Sequence, residues 1–288
     1  MKKIFAIATI ALSSSLLLAQ DAGNELKNFR FGLKVAPSIN WYKPEGKIIA
    51  ADGVVPRFGG GLILEFRLSK VASIQTGAQI DIDGGKLRYN NGGPSSAGAN
   101  TVSYYYNTLD DQIVHYDPIL AGSSSYVHYQ LNERVYKITY VTIPVTLKMK
   151  TKEIGAFTYY GQIGVNNSFR WKAFANDELQ VIDDATNTLG SKDSKSKVEI
   201  TKDMAAYAAS LNFGLGAEMN LAGTTSLVFG LNYNLGFTNV VMTDSKYINR
   251  RANEADYNST SNPSAYILSK MPQEVRSSAI ALTVGVLF

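Results

Sequence analysis

The last eleven residues, Ser278 to Phe288, alternate in period two. Ile280, Leu282, Val284, Val286 and Phe288 share one parity, and Ala279, Ala281, Thr283 and Gly285, then Leu287, take the other. A large apolar face, a small opposite face and a terminal Phe predict the closing strand of a transmembrane β-barrel. Seven earlier segments carry the same signature. Phe29 to Asn40 sets Phe29, Phe31, Leu33, Val35 and Ile39 against Arg30, Gly32, Lys34, Ala36 and Ser38. Arg57 to Leu68 sets Phe58, Leu62, Leu64, Phe66 and Leu68 against Gly59, Gly61, Glu65 and Arg67, with Ile63 an apolar exception inside. Val71 to Asp83, Val135 to Met149, Phe157 to Trp171, Ala205 to Asn220 and Ser226 to Val240 follow suit.

The connections turn these segments into a topology. Ser69-Lys70, 150–156 and 221–225 are short, whereas 41–56, 84–134, 172–204 and 241–277 are long. Short and long alternate along the whole chain, as in barrels with tight turns at one end and long loops at the other. Large apolar side chains occupy one face, and Gly, Ser, Asn, Gln and a few charges the other, the reverse of a water-soluble barrel. The expected fold is therefore all-β: a single antiparallel up-and-down transmembrane barrel of eight strands. Thr101 to Thr108 and Ser124 to Leu131 are also strand-like. They are expected either to pair as a hairpin above the membrane or to raise the count to ten.

The N-terminus gives the compartment. Met1-Lys2-Lys3 is followed by apolar residues from Ile4 to Leu12 and Leu16 to Ala19, too short and too early for a spanning anchor. Residues 1–19 read as a secretory signal peptide and 20–288 as the barrel domain. Lys2 and Lys3 account for two of the formal +4 charge, so the basic balance says little about nucleic acid. The chain has no Cys, which excludes a lipoprotein anchor, a disulfide and a thiolate metal site. The expected location is the outer membrane, with both termini periplasmic because the strand number is even.

Tyr140-Val141-Thr142-Ile143-Pro144-Val145-Thr146-Leu147-Lys148 resembles a recurrent strand of the PorT-like outer-membrane β-barrel family. Phe31 to Pro37 with Gly59-Gly60-Gly61 resembles its first hairpin, and Gly161-Gln162-Ile163-Gly164 its fifth strand. The resemblance is confined to strands and implies fold and location, not a secretion role. Pro144 has a physical reading of its own: it cannot donate a ladder hydrogen bond and should mark a bulge or weak point.

Chemistry is sparse. His115 and His128, the two histidines, fall in the longest loop without ligand-type spacing and are expected to be solvated. No strand-borne His accompanies Asp110 and Asp111, so no enzyme, catalytic residue, cofactor or metal is expected. The segment 84–134 carries Tyr89, Tyr104, Tyr105, Tyr106, Tyr116, Tyr126 and Tyr129, which either bind an extracellular protein or glycan or pack the loop on itself. Ser191 to Lys197 reads as a solvated loop tip, Asn258-Ser259-Thr260 as plain loop and Asn262-Pro263 as a turn. The other expected partners are outer-membrane lipid and the barrel-assembly machinery, with no nucleic acid. The leading function is a small non-enzymatic barrel with an anchoring, assembly or surface-binding role. A narrow diffusion channel and a lipid-modifying or proteolytic barrel enzyme are the alternatives.

Parity also places Arg30, Lys34, Glu65, Arg67, Lys148 and Glu218 in the lumen. Charges in so narrow a space need partners, so Glu65 and Glu218 are expected to pair with some of these cations and close the pore.

Overall fold

The computed structural model describes residues 29–89, 101–114, 124–186, 188–223, 225–252 and 267–288. The signal segment, His115, Tyr116, the Asn258–Thr260 motif and Asn262-Pro263 lie outside the described residues. No helix among the described residues is long and apolar enough to cross a membrane.

Eight antiparallel members close into a ring. In order around it they are β1 (Phe29–Glu45), β3 (Val55–Arg67), the broken pair β4 (Ala72–Thr76) and β5 (Gln79–Asp83), β9 (Tyr126–Lys150), β10 (Phe157–Ile182), β12 (Tyr207–Ala222), β13 (Thr225–Gly236) and β16 (Glu274–Leu287). Closure is made by β16 against β1, for example Leu33 opposite Val286 and Ile39 opposite Ile280. Full closure leaves no unpaired backbone edge in the spanning region, as lipid requires.

The apolar parity points outward: Phe31, Leu33, Phe58, Ile143, Val145, Leu215, Leu231 and Leu282 are all exposed. Two aromatic bands bound this surface. At the turn end the Phe29 ring lies tilted against Phe66 at 5.1 Å and Phe31 against Phe288 at 5.5 Å. At the loop end Phe169 meets Tyr207 at 5.4 Å and Trp41 meets Tyr233 at 6.3 Å, with Trp171 exposed beside them. The span from Phe157 to Phe169 on a strand tilted about 45° rises roughly 28 Å, close to a hydrocarbon core.

The break between β4 and β5 lies opposite Pro144. Thr76 pairs with Val145 and Gln79 with Thr142, and the two intervening residues form no ladder. The Thr76 hydroxyl donates to the Pro144 carbonyl at 2.7 Å, serving the acceptor that the ladder leaves. Gly77 in the gap takes φ +153°, and a Cβ there would lie 2.1 Å from the Leu62 carbonyl oxygen.

Several long connections are not loops, and this corrects the strand limits read from the pattern. The member expected over Val135–Met149 starts at Tyr126, and the one expected over Phe157–Trp171 runs on to Ile182. Beyond the outer band these strands join β2 (Ile49–Ala51), β6 (Lys86–Tyr89), β7 (Val102–Asn107), β8 (Gln112–Val114), β11 (Leu189–Glu199), β14 (Asp244–Ala252) and β15 (Ile267–Pro272) in a folded extension. There the pattern inverts, because the outside is no longer lipid. Tyr136, Ile138, Leu131, Ala173, Ala175 and Leu179 turn inward onto one buried core with Leu87, Val102, Tyr104 and Val275. A bulge at Trp171 changes the inward parity of β10, so the odd-numbered Ala173, Ala175 and Leu179 follow the even-numbered Gln162 to Arg170.

β7 and the start of β9 form the hairpin, Ser103 to Asn107 against Gln130 to Tyr126, and do not enter the ring. Ser191 to Lys197 is not the solvated loop tip expected: Asp193 and Lys195 are half-buried, and the rest is exposed. It belongs to β11, an edge strand whose alternating charges oppose further pairing.

Candidate functional site

The chemistry-bearing interior is the lumen, read from the turn end upward. β1 supplies Arg30, β3 Glu65, β9 Lys148 and Lys150, and β12 Glu218. The Arg30 guanidinium lies 3.0 Å from Glu65 and 2.8 Å from Glu218. The Lys148 ammonium lies 3.5 Å from Glu65 and also pairs with Glu218. Lys150 pairs with Glu65 and lies 2.9 Å from Glu218. Each carboxylate thus meets all three cations, and the five side chains bridge the barrel wall to wall.

The expected network differs in membership. Lys150 joins it; it shares the parity of Lys148 but stands one residue past the expected strand end. Lys34 and Arg67 make no ion pair among the described residues, although both face inward. Lys34 lies higher, among the residues lining the cavity with Asp81. Arg67 keeps one buried terminal nitrogen without a partner.

Above the charges the Tyr160 ring crosses the lumen. The Lys148 ammonium sits 4.0 Å from its centroid, and its hydroxyl donates to the Phe229 carbonyl at 3.2 Å. Gly216 and Gly230 make room for it: a Cβ on either would lie within 2.5 Å of the phenol oxygen. Ile63, the apolar exception of the pattern, packs here with Val228 and Leu287.

Higher still, amides form a ladder. Gln162 donates to Asn232 at 2.7 Å, Asn212 to Asn234 at 2.7 Å, Asn166 to Asn234 at 3.0 Å and Asn232 to Thr283 at 2.8 Å. On the opposite wall Asp83 accepts from Asn40 at 2.6 Å and from Ser277 at 2.8 Å. Between the two walls lies a cavity of about 130 Å³ lined by polar and apolar groups in near-equal parts. At about 30 Å³ per water that volume admits about four waters. Tyr140 and Val240, which belong to the extension core, line it on the loop side, and Arg57 donates to the Tyr136 carbonyl. Arg170, the last inward residue of β10 before the bulge, donates to the carbonyls of Thr201 and Met204 and secures the turn between β11 and β12.

The extension corrects the reading of His128. It is not solvated: its ring is buried, stacks on Tyr105 at 4.2 Å, and places Nδ1 2.5 Å from Asp184. Tyr89, Tyr104, Tyr105, Tyr106 and Tyr129 are buried as well, and Tyr126 is half-buried. Tyr104 donates to Asp177 at 2.9 Å, and Arg134 forms a two-pronged pair with the same carboxylate at 2.6 Å on each prong. Tyr129 donates to Asp193 at 2.6 Å, which holds that carboxyl below the usual range. Burial and the Asp111 partner push Tyr106 up to about 12. These rings hold the extension together and do not present a free aromatic surface. No sequence signal pointed to Arg134 and Asp177, because the partners belong to different segments and neither has a motif.

A family model described as an outer membrane protein beta-barrel domain matches residues 18–242. No curated protein matches the chain. Among solved structures, Neisserial surface protein A is 10% identical, with 90% of this chain and 97% of that chain covered and a TM-score of 0.34. OprG from Pseudomonas aeruginosa is 12% identical, with 90% and 95% covered and a TM-score of 0.35. Ail of Yersinia pestis is 10% identical, with 91% and 100% covered and a TM-score of 0.33. With the family model matching most of its length, this chain belongs to the outer membrane protein beta-barrel domain family.

Proposed function

We propose that this chain is a non-enzymatic, PorT-like outer-membrane barrel that carries no open pore and serves as an anchor for a folded extension on the cell surface. The carrying observation is the five-membered charge cluster of Arg30, Glu65, Lys148, Lys150 and Glu218 across the turn end of the lumen. The buried core of the extension, which reaches the lumen at Tyr140, lies over the opposite end. In this reading residues 1–19 are removed on export, both termini are periplasmic and the loop end is extracellular. A protein or glycan partner would meet the outside of the extension, because Tyr104, Tyr105, Tyr106 and Tyr129 are internal to it.

The cavity above the charges favours a second reading, a narrow channel that opens when the charge cluster parts. Planar-bilayer recording separates the two. The anchor reading expects a silent wild-type protein that stays silent when Glu65 and Glu218 are both replaced by Ala, because the extension core still covers the other end, whereas the channel reading expects discrete conductance in that variant. Steady conductance of the wild type would establish the channel and overturn the closed lumen.

A further inference from the structure

The bulge in β10 sets Trp171 and Lys172 side by side on the outer surface, where the lipid-facing wall ends and the extension begins. The Lys172 ammonium lies 6.0 Å from the Trp171 ring and 5.9 Å from the Phe174 ring. Phe174 pairs with Lys137 of β9, so the two lysines stand diagonally across one strand pair, flanking that ring. The turn that follows β11 adds Lys202. It is docked against the same strand by the bond from the Ala173 amide to the Thr201 hydroxyl, 3.1 Å long. All three lysines are exposed, and none makes an ion pair among the described residues. Of the other loop-end cations, Lys86, Arg88 and Arg276 are held by Asp52, Glu133, Glu45 or Glu274, while Lys43, Lys192 and Lys197 also make no ion pair but, among the described residues, lie over no aromatic ring of the membrane band. Glu199 stands in register with Phe174 but bonds to none of the three lysines.

We infer that Lys137, Lys172 and Lys202, with Trp171, form a binding site for a lipid headgroup that carries more than one phosphate. The depth fits, because the lysines sit directly beyond the band of Phe169, Trp171 and Tyr207 that marks the end of the hydrocarbon layer. The charge fits, since unpaired ammonium groups beside a membrane surface attract anionic headgroups. The spacing fits as well: Lys137 and Lys172 are about 7–8 Å apart at their backbones, wider than one phosphate spans. The indole would rest in the interface beneath the phosphates while the acyl chains lie along Ile143, Val145 and Ile163. This site rests on the reading that the loop end faces the outer leaflet.

The test is lipid retention by the full-length mature protein in detergent micelles, read by native mass spectrometry with bis-phosphorylated lipid A as probe. The wild type should retain the probe, and the triple variant Lys137→Gln, Lys172→Gln, Lys202→Gln should retain it about tenfold less well. Unchanged heat-dependent gel mobility will show that the triple variant is still folded. Dephosphorylated lipid A should bind the wild type no better than the intact probe binds the triple variant. A turn-end control, Lys70→Gln with Lys152→Gln, should bind like the wild type. Equal retention by the triple variant, by the phosphate-free lipid or by phosphatidylglycerol, or loss confined to the turn-end control, would overturn the site. Orientation is read separately, by labelling a Ser194→Cys protein on intact cells with a membrane-impermeant maleimide. Absence of label would overturn the outward-facing loop end without altering the micelle result.

Discussion

Glu65 illustrates what a single inward residue must do in a narrow barrel. Its carboxylate accepts from Arg30, Lys148 and Lys150, and together with Glu218 it balances two of three positive charges. Replacing it by Gln keeps the shape and removes the charge, leaving three cations around one carboxylate. The expected loss is about 3 kcal/mol, the scale for breaking a buried ion pair. Urea unfolding of the refolded protein followed by tryptophan emission would measure it, and a loss below about 1 kcal/mol would mean that the cluster is wetted like a surface pair. Gly230 is a second single-residue case. A Cβ there would lie 2.5 Å from the Tyr160 phenol oxygen and no nearer than 3.6 Å to anything else, so Gly230→Ala is expected to fold poorly while Gly230→Ala with Tyr160→Phe folds better than Gly230→Ala alone. Additive losses in the double variant would refute the steric account.

At the scale of elements, the extension behaves as a small soluble domain built on membrane strands. Its core contains tyrosines whose neutral forms are favoured by burial, first, and then by neighbouring carboxylates: Tyr104 well above the ordinary phenol range and Tyr106 up to about 12. The unfolded phenol ionises near about 10. Because the folded values are raised, this stability is fully present below about pH 10 and is lost as the pH rises through the folded values. Phenolate absorbance should therefore lag behind exposed tyrosine between about pH 10 and 12 and then rise together with protease sensitivity of the extension. Titration of every tyrosine near 10 with the extension still protected would contradict this. Arg134 and Asp177 pin β9 to β10 within the same core, and Arg134→Met should loosen the extension while the lipid-facing ring keeps its heat-resistant gel mobility.

For the whole molecule, closure of β16 on β1 is the last event the chain order allows. Phe288 lies in the turn-end band beside Phe31, and its amide donates to the Phe31 carbonyl at 2.8 Å. It adds little interior packing, so removing it should leave the refolded barrel nearly as stable. We propose that assembly machinery reads the exposed aromatic of the closing strand before the barrel closes, so in cells the same deletion is expected to lower the amount reaching the outer membrane. Normal membrane levels of the deleted protein would refute that role. The mature protein is further expected to begin near Gln20, which terminal mass spectrometry of the membrane fraction checks.

Period-two patterning determined most of the wall by itself, because lipid outside and a crowded polar lumen inside impose opposite demands on alternate residues. That is why Leu33, Val145 and Leu231 could be placed outward, and Glu65, Asn212 and Glu218 inward, from the chain alone. The same rule was silent where its cause stops. Past Trp171 the outer face meets water, the apolar side turns inward, and a one-residue bulge shifts the register, so long segments that read as loops are strands. His128 and Asp184, or Arg134 and Asp177, meet only because the extended strands bring distant segments together. Parity can say which way a side chain faces. Which neighbour it finds there, including Lys150 in the charge cluster and Tyr160 across the lumen, depends on strand stagger and barrel closure, and only the tertiary structure decides those.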